Sequence, residues 1–167
     1  DYLPTSGVKA IVSSWVRVPD NAIPSRGKIT GSYINSAFAK DEAEQFGADD
    51  AILLNTAGKV AEGSACNLFI VRNGTLITAP ISADILEGIT RRTVAQLALD
   101  LGLPLETRDI DRSELYIADE AVRACRSPRS IRSTAARSAR SPARSRSRSP
   151  IATSRWFAAS CRSTATG

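Results

Sequence analysis

Histidine is absent from this chain of 167 residues, and cysteine is scarce, with three. The first absence removes histidine-based catalysis and most catalytic metal sites. Cys66, Cys125 and Cys161 are too few and too scattered for a disulfide framework or a zinc site. No apolar run approaches the roughly 20 residues that span a membrane, and nothing at the N-terminus reads as a signal peptide. The expectation is a soluble cytoplasmic protein without a membrane partner. An initiator methionine is also lacking, and the chain opens abruptly at Asp1, as a fragment of something longer would.

Acidic residues are missing from one whole stretch. Residues 1–122 hold 4 Lys, 7 Arg and all 17 Asp and Glu, a net charge of −6. Residues 123–167 hold 11 Arg, 11 Ser and no Lys, Asp or Glu, a net of +11. The overall charge of +5 therefore describes neither piece, and the pI near 9.5 does not argue for nucleic-acid binding by the folded part. The expected organisation is a folded unit over 1–122 and a low-complexity tail over 123–167. That tail cannot bury enough apolar surface to fold.

Within 1–122 the pattern is mixed α and β, with no internal repeat. Residues 7–18, GVKAIVSSWVRV, alternate and hold enough Val and Ile to predict a strand. A loop with Pro19, Pro24 and Gly27 leads to Lys28. Residues 36–46 predict a helix with Gly47 as its stop. Successive strands are expected at 51–55, 60–63 and 67–72, with a turn at Ala57-Gly58. Asn73-Gly74 is a strong hairpin signal, closed by TLITAP. From Ile89 to Leu101, the spacing of Val94, Leu97, Ala98 and Leu101 predicts a helix ending at Gly102. Residues 103–110 read as another strand, and Asp111 as the N-cap of a short helix.

Three places could carry chemistry: the stretch around Lys28, the EGSACN loop at 62–67, and the LEGITR turn at 86–91. Singly, each has a plain structural explanation: a solvated lysine, a turn after a strand, a helix cap. Together they form a pattern. The runs KITGSYINSAFAKDEA, VAEGSACNLFIVRNG and ILEGITRRTV, followed by DIDRSELYIADE, stand in order and at the right gaps over about residues 7–122. In these motifs the chain resembles the fold-type IV class of pyridoxal-phosphate enzymes, and within it the branched-chain amino acid aminotransferases.

The resemblance implies an α+β fold: the large cofactor-binding domain of that class, a mixed, strand-rich, barrel-like sheet with flanking helices, here truncated. It implies pyridoxal 5'-phosphate as cofactor, amino acid and 2-oxo acid substrates, and a homodimer or higher homo-oligomer in the intact enzyme. Lys28 matches the lysine that holds the cofactor and moves the substrate α-proton. Glu62 matches the carboxylate that keeps the pyridine nitrogen protonated. Tyr33 matches the tyrosine that reaches the phenolic oxygen. Ile89 and Thr90 match the helix start that binds the phosphate; Gly88 allows close backbone approach there, and Leu86 packs on the cofactor ring.

Departures are also visible. Many branched-chain enzymes read EGSGEN or EGAGEN where this chain has Ala65 and Cys66, so a thiol replaces a glutamate; Cys66 reads as a small buried apolar residue. After YIADEAV the family continues into a Gly-Thr-Ala segment, whereas this chain turns to Arg, Ser, Ala and Pro, as a GC-rich gene read out of frame would. The resemblance also implies a smaller preceding domain that supplies an arginine to the phosphate, and the expectation is that residues 1–6 do not replace it. The expectation is a truncated, frameshifted copy whose own activity is in doubt. Two alternatives stay open: a D-amino acid aminotransferase or an aminodeoxychorismate lyase of the same class, and an RNA-binding protein working through its Arg/Ser tail. An Arg-Ser domain fused at mid-fold would cut the sheet, so nucleic acid is not the expected partner.

Overall fold

The Val/Ile alternation that opens the chain forms β1 (Val8–Val16), the strand on which the rest assembles. The computed structural model describes residues 7–124 and the backbone of 130–133. β2 (Asp50–Leu54) runs parallel to β1, with Ala10 opposite Asp50 and Val12 opposite Ile52. The register shifts before Val16 meets Leu54. In that interval the Ser14 N–H donates to Glu42 Oε2 at 2.9 Å, and the Ser13 hydroxyl donates to the same oxygen.

That glutamate belongs to α1 (Ile34–Gln45), which packs small residues onto the sheet: Ala39 and Ala43 meet Ala51 and Leu53. Ser36, read from the sequence as the helix start, lies inside the helix and is buried. The cause is a 3-10 turn, Thr30–Tyr33, that winds directly into α1, so no separate N-cap is needed. Gly47 (φ +68) ends the helix, as its sequence position suggested.

β3 (Val60–Gly63) returns antiparallel to β2. The turn between them is held by Asn55 Oδ1, which accepts from the Ala57 and Lys59 N–H groups. β4 (Asn67–Arg72) and β5 (Thr75–Thr78) form the expected hairpin, with Asn73 at φ 51 and Gly74 at φ 78. Two successive left-handed residues match the twist of the strands they join. α2 (Ile89–Asp100) then carries the chain across to β6 (Leu105–Thr107), parallel to β5.

Only those three residues of the stretch 103–110 belong to a strand. Beyond Arg108 the segment leaves β5, and the Val60 N–H donates to the Ile110 carbonyl at 2.9 Å while Lys59 bridges to Asp111. One segment thus pairs first with one edge strand and then with the other. Asp111 and Glu114 form a capping box on the 3-10 turn Arg112–Tyr116. β7 (Glu120–Ala124) lies antiparallel to β4, and β8 (Ser130–Ser133) fits between β7 and β1. The strand order is β3-β2-β1-β8-β7-β4-β5-β6.

Side chains from both halves of the sheet share one interior: Ile52 and Val60 meet Leu68, Ile70, Ile77 and Ile110. The opposite faces are covered by helices, α1 as above and α2 through Val94 and Ala98 on Phe69 and Leu76. β4 is buried on both sides, which explains its unbroken run Leu68-Phe69-Ile70. This is the mixed, barrel-like sheet with outer helices expected from the sequence. The sheet does not stop at residue 122, where charge alone suggested a boundary: β7 runs to Ala124, and Arg123 Nε lies 3.1 Å from the buried Asp50. Residues 134–167, the bulk of the Arg/Ser-rich tail, lie outside the described residues, as do Cys125 and Cys161. No helix among the described residues is long and apolar enough to cross a membrane.

Candidate active site

Glu62 is the centre of the site. It is the third residue of β3, and its carboxylate is buried with both oxygens engaged. Oε1 is 2.9 Å from Arg17 Nε. Oε2 accepts from Asn67 Nδ2 at 2.9 Å and from the Leu86 N–H at 3.2 Å. Burial pushes the Glu62 carboxyl up to about 7, while the Arg17 guanidinium and the Leu86 N–H pull the other way. A carboxyl so placed is poised near neutrality, and a cation brought against it would draw it into the charged form.

Tyr33 ends the 3-10 turn beside this group. Its ring lies 5.7 Å from the Arg17 guanidinium carbon, a cation–π distance. Burial, then the Glu62 charge, raise its phenol above the ordinary tyrosine value, with Arg17 opposing. Lys28 is exposed, at the centre of a three-residue turn in which the Ile29 N–H donates to the Gly27 carbonyl at 2.9 Å. Ser32 continues that winding by donating its N–H and its hydroxyl to the Ile29 carbonyl.

The third segment is the loop before α2. Asn67 Nδ2 donates to the Leu86 carbonyl at 2.8 Å as well as to Glu62, and so ties the loop to the carboxylate. Gly88 follows as the N-cap residue of α2, at φ −65 and ψ 140. A Cβ on Gly88 would lie 2.2 Å from Asn67 Oδ1. The Asn67 amide therefore leaves no room for a Cβ here, which favours glycine at this position. α2 opens without a side-chain cap and without an acidic residue in its first turn, so its leading N–H groups, Ile89 and Thr90 among them, face outward as donors with the positive end of the helix dipole. An exposed ion pair, Arg26 to Glu87 at 3.2 Å, links the Lys28 loop to this one.

The seven residues singled out in the sequence thus gather from three segments. Tyr33, Glu62, Leu86 and Gly88 meet directly or through Arg17 and Asn67. Lys28, Ile89 and Thr90 join through their neighbours. Sequence reasoning missed Arg17 and Asn67. Asn67 stood inside the EGSACN motif without an assigned role, while Arg17 sat at the end of a strand pattern that offered no hint of its partner 45 positions away. Cys66 is buried, 3.9 Å from Asp50 Oδ2, which also receives Arg123. Among the described residues no cluster of Cys, Asp and Glu could hold a metal ion.

This donor set fits an anionic, aromatic group with a basic ring nitrogen. A buried carboxylate would meet the nitrogen, the N–H groups opening α2 would meet an anion, and Arg17 Nη2 is buried with no hydrogen-bond partner among the described residues.

Residues 1–132 match the family model described as Amino-transferase class IV. A probable branched-chain-amino-acid aminotransferase of Synechocystis sp. is 52% identical over 120 residues, covering 72% of this chain and 39% of the relative. Its counterpart in Aquifex aeolicus is 56% identical over 121 residues, with 71% and 39% covered. Among solved structures, the branched-chain aminotransferase of Thermoproteus uzoniensis with norvaline superposes with a TM-score of 0.80 at 44% identity, covering 97% of this chain and 52% of that one. The branched-chain amino acid aminotransferase of Thermobaculum terrenum in its PLP form gives 0.73 at 44% identity, covering 75% and 42%. The chain therefore spans about two fifths of the length of the curated relatives it matches.

Proposed function

The chain belongs to the class IV amino-transferase family, and from that premise we propose that it carries the cofactor-binding half of a pyridoxal 5'-phosphate enzyme that exchanges an amino group between branched-chain L-amino acids and 2-oxoglutarate. The observation that carries this reading is the buried Glu62 carboxylate, fixed by Arg17, Asn67 and the Leu86 N–H at the meeting point of three loops. Of the readings the sequence left open, the names of the relatives favour this one. A cytoplasmic setting and a homo-oligomeric assembly of the intact enzyme belong to the same proposal.

When bound, the cofactor supplies an electron sink that lets the substrate's α C–H bond break. The residues of this chain do the rest. Glu62 holds a proton on the ring nitrogen, which raises the sink's capacity. Lys28 would be the amine that secures the cofactor, and its free amine would take the substrate's α-proton and return it. The Tyr33 hydroxyl serves the phenolic oxygen. The Ile89 and Thr90 N–H groups, with the Thr90 hydroxyl, grip the phosphate. Leu86 packs on the ring. Lys40 and Lys59 are unsuited to the work of Lys28, because their side chains are engaged in ion pairs with Glu44 and Asp111.

The test is chemical labelling. The purified chain is mixed with pyridoxal 5'-phosphate, reduced with borohydride, digested and mapped by mass spectrometry. The pyridoxyl label should concentrate on Lys28 and vanish from that peptide in Lys28→Ala. Equal labelling of Lys9, Lys28, Lys40 and Lys59 would defeat the proposal.

A further inference from the structure

We propose that Arg17 is the positioning residue of this site, fixing Glu62 and supplying its cationic partner while setting the lysine-bearing and phosphate-facing segments in register around it. The importance of that role rests on the function proposed above; the coupling of Arg17 to Glu62 does not. Arg17 is the largest fully buried side chain among the described residues, 1% exposed. Its backbone stays on the sheet, with its N–H donated to the Leu54 carbonyl at 2.8 Å, so the side chain starts from a fixed point.

From there the guanidinium reaches three separate segments. Nε lies 2.9 Å from Glu62 Oε1 and donates to the Asp84 carbonyl at 3.2 Å. Nη1 donates to the Ser32 carbonyl at 3.1 Å. Ser32 adjoins Tyr33 and is bonded to Ile29, next to Lys28. Asp84 stands two residues before Leu86, in a left-handed conformation at φ 62. Its carboxylate accepts the Asp20 N–H at 2.9 Å, which orders the loop that leads to Lys28. One planar, multi-donor group therefore touches every segment given a role in the proposed chemistry. Lysine, with a point charge and a single nitrogen, cannot replace that fork.

The contacts to Glu62 divide the work. Asn67 and the Leu86 N–H occupy Oε2, and Arg17 occupies Oε1, so the plane of the carboxylate is fixed. The groups that face this carboxyl are Arg17 after β1, Tyr33 on the 3-10 turn, neutral Asn67 on β4, and the backbone of the 84–86 loop; Arg17 is the only cation among these contacts. Without it, burial would be opposed only by the hydrogen bonds to Oε2 and would leave Glu62 protonated at neutral pH. A protonated Glu62 could not keep a proton on a pyridine nitrogen.

The experiment reads Glu62 itself, in the chain without cofactor. Glutamate side chains are labelled with carbon-13, Glu62 is assigned by the signal lost in Glu62→Gln, and its titration is followed by NMR. In Arg17→Leu the midpoint should rise by one pH unit or more, a tenfold gain in proton affinity. Arg17→Gln, which keeps a donor but no charge, should give a similar rise and stands in if the leucine variant does not fold. Arg17→Lys should recover the midpoint only in part. A midpoint within about 0.3 unit of the parent in a folded Arg17→Leu or Arg17→Gln variant overturns the proposal. Labelling at Lys28 separates the two readings. A shifted midpoint without Lys28 labelling keeps Arg17's role and removes the proposed function; normal labelling with an unmoved midpoint removes Arg17's role alone.

Discussion

Replacing Gly88 with alanine adds one methyl group against a side chain that two hydrogen bonds hold in place. The new Cβ would lie 2.2 Å from Asn67 Oδ1, well inside the roughly 3.5 Å at which non-bonded atoms begin to attract. The Gly88 backbone is not the obstacle, because φ −65 and ψ 140 suit any residue. Two smaller effects nearly cancel: alanine is a poorer N-cap than glycine, but it restricts the unfolded chain more. The cost must therefore fall on the Asn67 amide. That group is buried and opens β4, and its Nδ2 is held by Glu62 Oε2 and the Leu86 carbonyl. Turning it away loses one hydrogen bond to a carboxylate and one to a carbonyl, a destabilisation of about 2–4 kcal/mol. Urea denaturation of Gly88→Ala, Asn67→Ala and the double variant measures this as a cycle. In the Asn67→Ala background the Gly88→Ala change should cost less than about 0.5 kcal/mol, because the clash is gone. An equal cost in both backgrounds would refute the reasoning and place the effect in the backbone.

Other outcomes follow from the same geometry. Glu62→Gln should leave pyridoxal 5'-phosphate affinity within a few-fold, by equilibrium dialysis, yet cut transamination in the intact enzyme by orders of magnitude, since a neutral amide cannot hold the ring proton. Thr90→Val should do the reverse, weakening cofactor affinity while turnover at saturation is largely kept. Glu62 has its proton affinity raised by burial, to about 7 from an ordinary 4.5. Its contribution to stability is therefore present below pH 4.5 and lost as pH rises through about 7, by up to about 3 kcal/mol; denaturation midpoints across that window should fall, and fall less in Glu62→Gln. Glu114 acts with the opposite sign: its hydrogen bonds from Arg108 hold it down to about 2, so its contribution is lost as pH drops from 4.5 towards 2. Phe69→Ala, at a fully buried position of β4 that packs against α2, should cost about 3–5 kcal/mol, a large share of the roughly 5–15 kcal/mol of an ordinary domain, and should lower the urea midpoint in proportion.

The elements that could be read in advance are those written by near neighbours. Asn73-Gly74 announced its hairpin because two adjacent positive φ values admit few other residues. β3 and β4 span the residues that their short apolar runs and flanking turns predict, and α2 stops just before Gly102, because a turn and a left-handed helix stop are each set within a few residues. The family motifs likewise picked out Tyr33, Glu62, Leu86 and Gly88, which the fold gathers around one carboxylate. The resemblance supplied those positions; composition and spacing alone gave each a plain structural explanation.

Other features were settled only when distant segments met. Residues 103–110 look like one strand, yet Leu105–Thr107 joins β5 while Ile110 bonds to β3, because the curled sheet brings both edges within reach of one segment. β8 enters between β1 and β7, where no local pattern pointed. Arg17 is the clearest case. An arginine closing an apolar strand reads as a solvated charge, and nothing within several residues suggests otherwise. Its burial follows from the closing of three loops over it, and its charge is tolerable there because Glu62 and two carbonyls arrive from elsewhere in the chain. A buried charge is decided by partners far away in sequence, whereas a turn or a helix end is decided by the dihedral angles of the residues that form it.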